Sequence, residues 1–352
     1  MNLSVIKQLP GTEEIIRAYP LSDMGYEQVA HDIQEVKNIL SGRDGRILII
    51  VGPCSAWPHD AVMEYASRLK KLNKKVSDKL KLVMRVYIQK PRTSKGWTGP
   101  VNQPDPFAPP NIEEGIRYSR SLMVKIIEMG LPIADEAVFT HNAKGFIELL
   151  SWVAIGARST EDQEHRIFAS AIECPVGMKN PTSGSIEIGV NSIIAAQHGH
   201  TAVFNGAQVE THGNPYAHLV LRGGLDHPNY HVEDIYRARK FMEMHKISNP
   251  AIVIDASHDN CKIDGKKDPI QQINVAQEVM AALKLYPELG TLVKGFMFES
   301  FLKNGYQKLE NLTTELVDRD GLSITDPCLS WEQTESLITE IASQVKSIRK
   351  AT

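Results

Sequence analysis

Residues 46–55 read Arg-Ile-Leu-Ile-Ile-Val-Gly-Pro-Cys-Ser, a run of branched apolar residues that stops at a Gly-Pro step and delivers a cysteine and a serine. A strand that is apolar without alternation is covered on both faces, the condition of a parallel sheet wrapped by helices. Polar residues just beyond its C-terminal end stand where such folds put their chemistry. The unit recurs along the chain. Candidate strands lie at 46–52, 81–87, 131–136, 152–157, 174–178, 201–205, 251–256 and 291–298. Between and after them, 60–72, 112–129, 142–150, 161–171, 185–198, 232–245, 274–285 and 331–349 carry apolar residues at three- and four-residue spacing, the period of an amphipathic helix.

Strands alternating with helices in this way predict parallel β/α winding. A doubly wound open sheet is the competing architecture, but it would gather its polar groups near one switch point. Here they stand at the ends of many different strands, which favours a (β/α)8 TIM barrel. Two segments exceed a minimal barrel. Residues 1–45, with a helical pattern at 26–40, are expected to form an N-terminal extension packed outside the barrel or against another subunit. Residues 206–230 are expected to form an inserted hairpin, with a strand-like piece at 218–221. Repeats, low-complexity tracts and Gly/Ser linkers are absent, so 1–352 is expected to be one domain, with its barrel over 46–352.

A composition of 42% hydrophobic and 23% charged residues is that of an ordinary core-forming protein. The formal charge of -3 gives no basic excess to hold a polyanion, so no nucleic-acid partner is expected. No apolar run approaches the roughly 18 residues of a membrane span, and residues 1–20 show no signal-peptide pattern. Cys54, Cys174, Cys261 and Cys328 are widely scattered, which suits a reduced compartment. The expectation is a cytoplasmic protein without a membrane partner.

The expected strand ends carry two chemical sets. The first is cationic: Arg85, Lys90, Arg92, Arg158, Lys179 and Arg222. Arginine suits bidentate capture of phosphate and carboxylate, and lysine acts as a point charge, so six such residues at one end of a barrel point to a substrate with more than one anionic group. Taken singly, each could equally be a surface cation paired with an acid. The second set is Cys54, His258, Glu299 and Asp326, a mixed sulfur, nitrogen and oxygen donor set suited to a divalent transition metal. No close-spaced ligand pair accompanies it. Cys54 could also be a buried apolar residue, His258 a satisfied core histidine and Asp326 a turn or cap residue.

The order of motifs adds to this reading. Gly-Pro-Cys-Ser (52–55), Lys-Pro-Arg-Thr (90–93), GARSTEDQEHR (156–166), CPVGMKN (174–180), LRGG (221–224), DASH (255–258) and SITDPC (323–328) follow one another. From about residue 45 to the C-terminus the chain resembles the microbial type I 3-deoxy-7-phosphoheptulonate (DAHP) synthases, the feedback-regulated branch. The resemblance implies a metal-dependent condensation of phosphoenolpyruvate with erythrose 4-phosphate, by a homodimer or homotetramer. It implies Cys54, His258, Glu299 and Asp326 as ligands of one divalent ion (Mn, Fe, Co or Zn). By the same resemblance Arg158, Lys179, Arg222 and the Ala157 backbone hold the phosphate of phosphoenolpyruvate, and Arg85, Lys90 and Lys179 its carboxylate. Glu136 matches a carboxylate beside that site. Arg92 and Thr93 match the groups that hold the aldose phosphate, with Pro91 shaping the turn. Lys90 is expected to assist proton transfer at the aldehyde, with neighbouring cations depressing its pKa; Cys54 and His258 would take part in catalysis through the metal.

The chain also departs from these relatives. Ala56-Trp57-Pro58 stands where they run almost directly from the serine into His-Asp. Gln89 replaces a Glu, and Phe301 a His. These changes fall on the aldose side, so a relative condensing phosphoenolpyruvate with another aldehyde is an alternative, as is a non-catalytic barrel subunit. The stretch before His212-Gly213-Asn214 is shorter than in feedback-inhibited relatives, as is the N-terminus. That predicts weak or absent inhibition by Phe, Tyr or Trp.

Overall fold

A computed structural model describes residues 2–92, 95–138, 145–204 and 206–349. The N-terminal part holds α1 (Thr12–Ala18) and α2 (Asp23–Leu40). Helix α2 begins earlier than its apolar period suggests because the Ser22 hydroxyl accepts from the Gly25 N–H and caps it. Then come β1 (Ile47–Gly52), α3 (His59–Val76), β2 (Leu80–Arg85), α4 (Ile112–Glu128), β3 (Ile133–Glu136) and β4 (Trp152–Ile155). They are followed by α5 (Gln163–Ala171), β5 (Val176–Lys179), α6 (Ile186–Gln197), β6 (Thr201–Phe204), β7 (Ala207–Glu210), β8 (His218–Leu221) and α7 (Val232–Met244). The last part is β9 (Ile252–Asp255), β10 (Lys262–Ile263), β11 (Lys266–Lys267), α8 (Gln271–Leu285), β12 (Val293–Glu299) and α9 (Trp331–Arg349).

Eight of these strands close into a barrel in the order β1-β12-β9-β8-β5-β4-β3-β2, parallel at every seam. The (β/α)8 expectation holds, with one strand exchanged. The sequence pattern puts the sixth barrel strand at 201–205, but that place belongs to β8. Strand β6 instead pairs antiparallel with β7 in a hairpin outside the barrel, so the inserted hairpin occupies 201–210 and not 206–230, and Asn205 lies outside the described residues. Burial gives the reason: β8 is buried throughout, whereas β6 alternates between exposed and half-buried, as a strand packed on one face does. The helix expected at 142–150 is represented among the described residues by a single 3-10 turn, Ile147–Leu149, and 142–144 lie outside them.

Alternation within the buried strands sorts two cores. Ile47, Ile49 and Val51 face the helices, while Leu48 and Ile50 face the barrel interior with Val83, Ala134, Trp152, Ala154, Val220, Val253 and Met297. Interior space is tight around Trp152: a Cβ on Gly177 would stand 2.2 Å from its ring. From α2, Val36, Ile39 and Leu40 join the interior cluster, so this helix of the extension closes the barrel floor. Lys81, in the interior phase at the foot of β2, is buried there and pairs with Asp32 and Glu35 of α2.

Candidate active site

The interior phase that carries Leu48, Val83, Ala134 and Val220 at mid-height arrives at the C-terminal end on Arg85, Glu136, Lys179, Arg222, Asp255 and Glu299. The filling thus switches from apolar to charged within one or two residues of each strand, at the end where barrel active sites form. All six are buried. Burying ions is costly unless they are paired, and here they pair across strands. Arg85 Nη2 donates to Glu299 Oε1 at 2.9 Å. Lys179 Nζ lies 3.5 Å from Glu136 Oε2 and 3.4 Å from Asp255 Oδ2. The Arg85 guanidinium also stacks on the Tyr87 ring, 3.9 Å from its centroid, and Arg222 pairs with Asp259. Glycine makes room for this layer: a Cβ on Gly156 would fall 2.4 Å from Glu136 Oε1.

At one side of the layer, Cys54 Sγ and carboxylate oxygens of Glu299 and Asp326 lie within 4.8 Å of one another. His258 stands beside this group, with Nε2 3.8 Å from Glu299 Oε1. Its Nδ1 is 2.8 Å from the Ser257 hydroxyl and forms an ion pair with Asp255 Oδ2 at 2.8 Å, and Asp255 Oδ1 accepts from the Ser257 hydroxyl at 2.6 Å. His258 has φ 58°, the left-handed region that a histidine seldom occupies, and the strain is held where the ring is aimed at the cluster. Lys267 Nζ lies 2.7 Å from Asp326 Oδ2. Lys90 Nζ donates to the Cys54 carbonyl at 2.7 Å and lies 3.1 Å from its Sγ.

The electrostatics follow from this geometry. Burial and the Glu299 carboxylate push the Cys54 thiol up. Burial alone would raise Glu299, yet His258 and Arg85 hold it low. Burial pulls His258 below its ordinary value against the opposing Asp255 charge. Lys90 departs from expectation. Burial draws its pKa down and Arg85 adds to that, but Cys54, Glu299 and Glu136 outweigh them and hold it above the ordinary lysine value. The expected depression by neighbouring cations is not found, because Cys54, Glu299 and Glu136 together outweigh burial and Arg85.

Above this floor is a cleft of about 320 Å³ lined by Lys90, Pro91, Arg92, Lys95, Glu136, Ala157, Arg158, Lys179, Arg222, His258, Lys267, Thr325 and Asp326. Every cation singled out in the sequence faces it except Arg85, which lies beneath, fully buried against Glu299. Thr93 falls outside the described residues. Arg85 Nη1 and Arg222 Nε are buried donors with no hydrogen-bond partner among the described residues, as expected of groups that a bound anion satisfies. Sequence reasoning gives no role to Asp255, Lys95, Lys267, Thr325 or Tyr87. For Asp255 a signal exists, since it opens the DASH motif three residues before His258. Lys267 sits on the short β10–β11 ribbon, and nothing in its sequence neighbourhood marks it.

A model of the DAHP synthetase I family matches residues 27–339. The chain belongs to the DAHP synthetase I family. It is 39% identical over 334 residues to a Tyr-sensitive phospho-2-dehydro-3-deoxyheptonate aldolase of Salmonella typhimurium, spanning 94% of this chain and 91% of that protein. It is 38% identical over 349 residues to a Trp-sensitive phospho-2-dehydro-3-deoxyheptonate aldolase of Escherichia coli K12, spanning 97% and 96%. The solved structure of phospho-2-dehydro-3-deoxyheptonate aldolase from Francisella tularensis superposes with a TM-score of 0.92 at 34% identity, covering 99% of this chain and all of that one. In this member of the DAHP synthetase I family no described helix is long and apolar enough to cross a membrane.

Proposed function

We propose that this chain condenses phosphoenolpyruvate with D-erythrose 4-phosphate and water, giving 3-deoxy-D-arabino-heptulosonate 7-phosphate and inorganic phosphate, the first step of the shikimate route to aromatic amino acids. The observation that carries the reading is a cleft whose walls bring together seven cations while a thiol, an imidazole and two carboxylates converge at its floor. Of these, Lys90, Lys179, Arg222 and Glu299 are buried, a cost that a barrel without catalytic work has little reason to bear.

Arg158, Lys179, Arg222 and the Ala157 N–H would hold the phosphate of phosphoenolpyruvate, and Arg85, Lys90 and Lys179 its carboxylate. The orphaned N–H donors of Arg85 and Arg222 support this assignment. Arg92 and Thr93, set by the turn at Pro91, would hold the aldose phosphate. The clamp brings two polyanions together and offsets their repulsion, a positioning and electrostatic contribution.

The donor set of Cys54, His258, Glu299 and Asp326 fits one divalent ion, Mn, Fe, Co or Zn by donor type. The anionic donors raise one another's demand for positive charge, and Asp255 orients His258 as an outer carboxylate orients a ligating histidine. Such an ion supplies Lewis acidity at the aldehyde carbonyl. Carbon 3 of phosphoenolpyruvate bonds to that carbonyl carbon, water adds at carbon 2, and the C–O bond to phosphate breaks. Lys90 is held protonated, which suits it to donate a proton to the aldehyde oxygen and not to act as a base. Glu136, kept ionised against burial by Lys179 and Lys90, is the lining carboxylate suited to take a proton from the added water. Cys54 and His258 act in catalysis by holding the ion.

Residues 1–352 would form one domain in the cytoplasm. A homodimer or homotetramer is supported by the exposed Leu3, Val5 and Ile6 of the N-terminal arm, apolar surface suited to a second subunit. Phosphate release from phosphoenolpyruvate, dependent on erythrose 4-phosphate and on added divalent metal, tests the main reading. Lys90→Ala is expected to abolish turnover while metal still binds. No turnover with any of the four metals would overturn the proposed function, and metal loss in Lys90→Ala would make that residue structural.

A further inference from the structure

Arg222 directly follows β8 and lines the cleft, whereas the carboxylate that holds it, Asp259, stands outside that lining. Asp259 Oδ2 accepts from Arg222 Nη1, and Asp259 Oδ1 lies 2.5 Å from Lys262 Nζ on β10. The two backbones are joined as well, since the Asp259 N–H donates to the Arg222 carbonyl at 3.1 Å. Gly223 permits this approach: it has φ 82°, and a Cβ there would stand 2.6 Å from the Asp259 carbonyl carbon. Three buried asparagines also fix the segment. Asn180 Oδ1 accepts from the Arg222 N–H at 2.9 Å, Asn229 Oδ1 accepts from the Gly223 N–H at 2.7 Å, and Asn260 Nδ2 donates to the Leu221 carbonyl at 3.1 Å.

A guanidinium offers an oxyanion two edges for paired hydrogen bonds, Nη1 with Nη2 or Nε with Nη2. Asp259 occupies Nη1, which closes the first edge. Arg222 Nε is buried without a hydrogen-bond partner among the described residues, so the orphaned donor lies on the second. The anchor does not cancel the cation, because Lys262 shares the Asp259 charge and the three groups together keep one positive charge.

We infer that Asp259 is a positioning residue, which fixes Arg222 so that its Nε edge receives the phosphate of phosphoenolpyruvate. The inference rests on the assignment of Arg222 to that phosphate made above. Without Asp259, Arg222 keeps its charge but must be ordered each time an anion binds, and no carboxylate then stands between it and Lys262.

The test is calorimetric titration of phosphoenolpyruvate into the full chain loaded with Mn, without aldose, for wild type, Asp259→Asn and Asp259→Ala. Asparagine keeps the shape and a neutral acceptor, and alanine removes the anchor. The dissociation constant should rise about threefold with asparagine and about tenfold or more with alanine, the scale of weakening or losing a charged hydrogen bond. In steady state the KM for phosphoenolpyruvate and the inhibition constant of inorganic phosphate should rise alongside, while kcat and the KM for erythrose 4-phosphate stay within about threefold. A purely structural role would not divide the constants in this way. Urea unfolding shows which variants are folded, and the asparagine variant decides the test if the alanine variant does not fold. Unchanged or tighter phosphoenolpyruvate binding, or a loss of kcat alone, overturns the positioning role and leaves the proposed function standing. Weakened erythrose 4-phosphate in place of phosphoenolpyruvate overturns the phosphate assignment of Arg222 and this inference with it. Wild type that binds no phosphoenolpyruvate overturns the proposed function itself.

Discussion

Asp255→Asn is the perturbation that best separates positioning from structure in this site. The residue lies beneath the cleft, with Oδ2 2.8 Å from His258 Nδ1 and 3.4 Å from Lys179 Nζ. Asparagine keeps the size but removes the charge facing the imidazole, whose Nδ1 also contacts the Ser257 hydroxyl at 2.8 Å. A buried contact to an ionised partner is worth about 1.5–3 kcal/mol against about 1 for a neutral one, so the orienting ion pair weakens by roughly 1–2 kcal/mol. That corresponds to about 5- to 30-fold in metal affinity, overlapping the low end of the roughly 10- to 100-fold that outer partners of ligating histidines contribute. The effect on folding should be smaller. Asp255 is fully buried, so the substitution also removes the cost of desolvating a carboxylate, and Lys179 retains Glu136 3.5 Å away.

The assay is a chelator-competition titration of metal-free protein at pH 8, where protons no longer compete for His258, whose pKa is drawn below the ordinary histidine value. Urea unfolding of the metal-free variant controls for stability. A metal affinity within threefold of wild type, with an unchanged unfolding midpoint, would refute the orienting role. A large loss of stability without a change in affinity would make Asp255 a partner of Lys179 only.

Three further outcomes follow from other parts of the molecule. Lys81→Met leaves Asp32, 1% exposed, without its cation at the barrel floor. Breaking a buried pair of this kind should cost about 3 kcal/mol in urea unfolding, with kcat per folded molecule unchanged because the cleft is at the opposite end. His218 accepts from Trp152 Nε1 at 3.1 Å inside the barrel, and burial lowers its pKa to about 4. A base with a depressed folded pKa keeps its full stability above the unfolded value near 6.5 and loses it as pH falls towards 4, by up to roughly 3 kcal/mol. Asp135, pushed up to about 8 by burial, slopes the opposite way over much of that window. The difference between wild type and His218→Gln therefore isolates the histidine, and a pH-independent difference would sink the assignment. Phe, Tyr and Trp should inhibit weakly or not at all, given the short stretch that forms the β6–β7 hairpin; sub-millimolar inhibition by any of them in a steady-state assay would refute this.

The barrel is legible in the sequence because strands buried on both faces announce themselves as unbroken apolar runs, as 47–52 does. The one exchanged strand shows the limit of that signal. Thr201–Phe204 and His218–Leu221 are four-residue segments of similar apolar content, and composition favours the first, since the second starts with a histidine. What decides between them is that His218 is neutral and satisfied on both ring nitrogens, by Trp152 and by the Tyr216 carbonyl, which requires knowing what lies across the barrel. The floor of the barrel is hidden for a similar reason. Residues 26–40 read as an amphipathic helix, but a helix pattern does not say which surface receives it; the packing of Val36, Ile39 and Leu40 into the interior core and the pairing of Lys81 with Asp32 and Glu35 fix α2 there.

For the site, the residues named from motifs do converge, yet the sign of the Lys90 shift is opposite to expectation. A count of neighbours takes Arg85, Arg158 and Lys179 as cations near Lys90, and that argues for depression. The anions tip the balance the other way: Lys90 Nζ lies 3.1 Å from Cys54 Sγ, and the Glu299 and Glu136 charges act with the sulfur, while Arg85 is partly neutralised by Glu299 at 2.9 Å. Coulomb interactions strengthen as water is excluded, so in a buried layer of mixed charges the summed anionic neighbours decide the sign. The consequence is functional. In the proposed condensation a lysine held protonated would donate to the developing alkoxide, and Glu136, held ionised in the same layer, would take the proton from water.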